Sequence, residues 1–125
     1  MASKPRAPSS IYQDINERYF DNALPEVEFR WVEDFSEGEG IDTRSDTACV
    51  FIATPEGARW RNELRPHDKL AIEINSALRG FSKILAHVVA HEMIHIKHPG
   101  SRHGSREWNS EVRRLQGLGF FLRNF

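Results

Sequence analysis

Five of the six histidines, His87, His91, His95, His98 and His103, fall within 17 residues of a 125-residue chain. Two of them frame the run His91-Glu92-Met93-Ile94-His95. On a helix, residues four apart stand one turn above each other, so both imidazoles project from one face and can grip one ion at the roughly 2.0–2.1 Å of a zinc–nitrogen bond. Glu92 sits beside that face. Its carboxylate can therefore reach a water held by the metal rather than the metal itself, which suits the general base of a zinc hydrolase. In such chemistry Glu92 takes a proton as the water attacks a carbonyl and later returns it to the leaving amine. The competing reading is a pair of histidines on an ordinary amphipathic helix.

A catalytic zinc takes three protein ligands and keeps a fourth position open. His103 is the preferred third ligand, because it follows the Pro99-Gly100 turn and precedes Gly104, which lets the backbone approach closely. His98 is its rival: seven residues after His91, it would share the ligand face if the helix continued, but Pro99 biases it out of helical geometry. Glu107 and Glu111 are further candidates on a following helix, where orienting a ligand histidine or pairing with Arg is the more natural role. His87 reads as a core or cleft-lining residue, and His67, in the polar stretch RPHDK, as solvent-facing. Tyr12, Tyr19, His87, His98 and Arg106 are unranked candidates for a donor to a developing oxyanion.

These side chains need a scaffold. Residues 1–10, MASKPRAPSS, read as a disordered lead-in, leaving 11–125 as a single domain. A helix capped by Ser9 or Ser10 carries Ile11, Ile15, Tyr19 and Phe20 at helical spacing and ends at Asn22 and Pro25. Val27, Phe29 and Trp31 alternate with polar neighbours as in a strand. The run Thr47 to Ala53 is apolar enough for burial on both faces, with Pro55 to Gly57 closing it, and Leu70, Ile72 and Ile74 mark a third strand. Asn75 or Ser76 then caps a long helix through Ile96, stopped by Pro99-Gly100. A last helix starts near Ser105, with Trp108, Val112, Leu115 and Leu118 as its apolar stripe. The expected fold is α+β, with a three-stranded, mainly antiparallel sheet whose consecutive strands pair as hairpins.

Composition narrows the function classes. Seventeen Lys plus Arg against eighteen Asp plus Glu give a formal charge of -1, which excludes a surface built wholly for nucleic acid. The total hides a gradient: residues 31–60 hold seven acidic residues against Arg44 and Arg59, whereas 97–125 hold six basic ones against Glu107 and Glu111. The lone Cys49 excludes an internal disulfide or a multi-thiolate zinc ribbon and fits a reducing compartment. Neither a membrane span nor a signal peptide is legible, so a cytoplasmic protein is expected.

Three blocks carry a resemblance: Ile15 to Trp31 (INERYFDNALPEVEFRW), His87 to His98 (HVVAHEMIHIKH) and Arg102 to Leu115 (RHGSREWNSEVRRL). Together they resemble the SprT-like family of zinc metallopeptidases, which includes the Spartan proteases. The resemblance implies a small zincin-like α+β domain with His91, His95 and His103 as zinc ligands and Glu92 as catalytic base. It also implies a protein or peptide substrate lying extended along an edge strand. Spartan-type members digest proteins crosslinked to DNA, and here Arg59-Trp60-Arg61 and the basic C-terminal quarter are the candidate contacts for single-stranded DNA. The chain is similar, too, to the YgjP-like and WLM groups of metal-dependent hydrolases; the YFDNALP block favours SprT-like. A non-catalytic zinc or DNA-binding module is the remaining alternative.

Overall fold

The computed structural model describes residues 7–33, 48–54, 57–59 and 63–120. The elements run α1 (Pro8–Tyr19), β1 (Val27–Val32), β2 (Ala48–Thr54), β3 (Gly57–Arg59), β4 (Leu70–Asn75), a 3₁₀ turn (Ser76–Leu78), α2 (Ser82–Lys97) and α3 (Arg106–Gly117). The architecture is α+β, as expected, and none of these helices is long and apolar enough to cross a membrane.

The sheet departs from the hairpin expectation. Its order is β1-β4-β2-β3, so four strands replace the expected three, and β4 lies between β1 and β2. β1 runs parallel to β4, from Val27 opposite Leu70 to Val32 opposite Asn75, while β2 is antiparallel to both β4 and β3. The sheet is therefore mixed. Burial explains the order: β2 and β4 are buried over nearly their whole length, which requires neighbours on both sides, whereas β1 alternates and suits an edge. Short β3 begins at Gly57, the last residue of the segment expected to close β2, whose Pro55 and Glu56 lie outside the described residues.

Ala48, Val50 and Ile52 share one sheet face with Leu70, Ile72 and Ile74, and on that face they pack with Ile11, Ile15, Leu85, Val89 and Met93 of the helices. Cys49, Phe51 and Ala71 form a smaller cluster on the opposite face. The core thus sits between the sheet and the first two helices, and Trp108 and Leu115 of α3 join it, both fully buried.

Helix ends required two corrections. α1 begins at Pro8 with Ala7 as its N-cap and no capping side chain, so Pro8 to Ser10 belong to the helix and not to a lead-in. Proline's fixed φ preorganises a first helical turn, and its missing N–H is not needed there. Asn75 does cap, accepting from the Ala77 N–H at 3.0 Å, but only the 3₁₀ turn. Gly80, at φ +84°, redirects the chain before α2 starts at Ser82. The other ends follow the sequence: His98 caps α2 ahead of Pro99, and Ser105 caps α3 by accepting from the Trp108 N–H at 3.3 Å. Along α3, Trp108 and Leu115 are buried, but Leu118 is 55% exposed and falls off the expected stripe.

Candidate metal centre

α2 holds His91 and His95 on one face, half-buried, with their ring centroids 5.1 Å apart. The chain leaves α2 at His98, turns, and brings His103 back over that face. One ring nitrogen from each of the three histidines lies within 4.8 Å of the others, and His95 Nε2 and His103 Nε2 are 3.0 Å apart. Ligand nitrogens on a tetrahedral ion with bonds near 2.05 Å stand about 3.3 Å from each other, so the cluster could hold a metal ion with small adjustments. His91 is well suited to it. Burial, with the neighbouring His95 and His103, pushes its pKa down to about 3, so the ring is neutral near pH 7 with a lone pair to donate.

The floor of the cluster is Trp108. This fully buried indole stands 4.8 Å from the ring of His91, 4.7 Å from His95 and 4.6 Å from His103. Sequence periodicity placed Trp108 in the core but gave no sign that it touches all three candidate ligands. The turn bearing His103 is held on both sides. Ser101 donates its N–H and Oγ–H to the His98 carbonyl at 3.1 and 2.7 Å, and Asn109 Nδ2 donates to the Gly104 carbonyl at 3.1 Å. Gly104 has φ +81°, and a Cβ there would meet nothing within 4 Å. Its purpose is left-handed backbone geometry rather than the close approach expected from sequence.

The rival ligands are placed elsewhere. His98 Nε2 is 3.1 Å from Glu111 Oε1, outside the cluster. Glu111 is itself buried and binds Lys97 and Arg114 as well as His98. It thus pairs with Arg and does not ligate; the same three partners hold its carboxyl below the usual carboxylate range despite burial. Glu107 is exposed on α3, and His67 is exposed as expected. His87 is half-buried with its ring 5.6 Å from that of Phe120. Among the oxyanion candidates, the Tyr12 hydroxyl donates to the Pro25 carbonyl at 2.6 Å, so Tyr12 and His98 are both committed elsewhere.

Glu92 is 4% exposed. Burial pushes its pKa up to about 8, against the pull of a hydrogen bond from the Val50 backbone N–H. The Ala53 N–H donates to the Lys69 carbonyl at the foot of β4, so by the alternation of a strand the N–H of Val50 points off β4, toward the other side of β2. Glu92 therefore meets β2 on the side that faces β3, where the pairs among the described residues run from Ile52 to Thr54. A cavity of about 180 Å³ between α1 and α2, lined by Ile11, Asp14, Tyr19, Ser82, Ala86 and Phe120 among others, includes none of the candidate ligands.

The charge gradient changes meaning. Lys97 and Arg114 are engaged with Glu111 and lie over the Phe20 ring at 5.6 and 5.0 Å, which leaves Arg102, Arg106 and Arg113 as the exposed basic residues of the described C-terminal region. The side chain of Arg59, Trp60, Arg61 and Arg123, and the acidic residues from Asp34 to Glu56, lie outside the described residues. Comparison with family models, with curated proteins and with solved structures gives no match.

Proposed function

We propose that this chain is a zinc-dependent metallopeptidase of the SprT-like, Spartan-type family, with a zincin-like fold and a protein or peptide substrate. One observation carries the reading: three imidazoles converge within 4.8 Å while the residue between the two on α2, Glu92, presents a buried carboxyl to the backbone of β2. Three imidazoles with no thiolate or carboxylate among them are the donor set of an open zinc site. Bound zinc supplies Lewis acidity toward the scissile carbonyl and acidifies a water.

The protein's own residues do the rest. His91, His95 and His103 hold the ion, and Trp108 fixes their rings. Glu92 accepts the proton at its carboxylate and returns it to the leaving amine, and a carboxyl tuned toward neutral pH suits transfer in both directions. Among the described strands the sheet edges are β1 and β3, and a substrate lying extended along an edge strand belongs to the same reading. A structural zinc site would have no use for such a carboxyl, since burying one costs free energy without a partner charge; this argues against a non-catalytic module. A YgjP-like or WLM-like hydrolase would share the same ligands and base.

The test is cleavage of an unfolded protein by the zinc-loaded chain and by Glu92→Gln. The variant should keep one zinc per chain and lose at least 10²-fold in rate. Cleavage at the parent rate would refute Glu92 as the base.

A further inference from the structure

We infer that Glu111 is a positioning residue of the metal centre: through His98 it sets where the turn bearing His103 places the third imidazole against His91 and His95. This rests on the metal-centre reading and extends it to a residue that touches no ligand.

Glu111 projects from α3 into the junction where α2 ends. Its Oε1 takes Lys97 Nζ at 2.6 Å and His98 Nε2 at 3.1 Å, while Oε2 takes Arg114 Nε at 3.0 Å. Lys97 is the last residue of α2 and His98 its cap, so one carboxylate ties the end of the helix carrying His91 and His95 to the helix that follows His103. Lys97 and Arg114 also lie over Phe20, the C-cap of α1, so the junction joins all three helices.

Between those anchors the turn has little freedom. At its start the His98 ring is fixed by Glu111 and the His98 carbonyl by Ser101; at its end the Gly104 carbonyl is fixed by Asn109 and the Trp108 N–H by Ser105. His103 lies between them, its exposed ring meeting His91, His95 and Trp108 only where the turn delivers its backbone. Its position follows from the separation of the two ends, and that separation is set at the Glu111 to His98 contact. Net stability is a weak reason for such a group, because a buried ion pair roughly breaks even with an apolar replacement. Geometry is a better one, and groups outside the ligand sphere typically change metal affinity 10–100-fold.

The experiment measures zinc dissociation constants of the whole chain by competition with a chromophoric chelator, for the parent, Glu111→Gln, His103→Ala and the double variant. Glu111→Gln should weaken binding about 10–100-fold in the parent background and by less than about twofold once His103 is gone. His98→Ala keeps Glu111 with Lys97 and Arg114 and should also weaken binding, which provides the test should Glu111→Gln not fold. Equal weakening with and without His103, or parental affinity in both Glu111→Gln and His98→Ala, would overturn the inference and leave the metal centre standing. A parent chain that binds no zinc would overturn both.

Discussion

The indole of Trp108 stands 4.6 Å from the imidazole of His103, a fully buried ring directly against an exposed one. α3 therefore contributes to the site twice, through the turn that precedes it and through its own first buried side chain. Trp108→Ala should lower the stability of the metal-free chain by about 3–5 kcal/mol, read by urea unfolding. Trp108→Phe should cost less and still weaken zinc binding, because the smaller ring supports fewer of the three imidazoles.

Gly104→Ala isolates backbone strain. With φ +81° and open space around a Cβ, the substitution adds strain without a clash. It should cost about 1–2 kcal/mol in thermal or urea unfolding, and zinc affinity should fall with it because Gly104 follows His103 directly.

Much of this site was legible in the sequence, for reasons specific to each residue. His91, Glu92 and His95 could be placed because helical spacing alone fixes their relative directions. His103 could be preferred over His98 because Pro99 ends the helix, and the contact of His98 with Glu111 places it outside the cluster. The sheet order was not legible: pairing β1 with β4 across β2 is a non-local choice, and the signal for it, burial on both faces of LAIEIN, was masked by the alternation of Leu70, Ile72 and Ile74. Nor was the setting of Glu92 against Val50, since no local pattern says which strand a helix residue will meet.

Acid should expose the contribution of Glu111. Its pKa is held below the reference 4.5 in the folded chain, so its stabilisation is complete above the unfolded value and disappears as the pH falls through the folded one. Urea unfolding of the parent between pH 7 and pH 3 should show stability falling at the acid end. Glu111→Gln should be less stable at pH 7 and show a flatter acid limb; identical limbs would remove Glu111 from the account of acid lability.

Any contact with single-stranded DNA in the described C-terminal region falls to Arg102, Arg106 and Arg113. If the chain binds a fluorescent oligonucleotide at low salt, reversing all three to Glu should weaken that binding while zinc content stays at the parental level. Unchanged oligonucleotide binding would move the contact away from this surface.

The most direct test of the central claim is the zinc-to-chain ratio by native mass spectrometry for the parent, His95→Ala and His103→Ala. The three-imidazole centre predicts one zinc in the parent and almost none in either variant under the same conditions. One zinc retained by His103→Ala would contradict it.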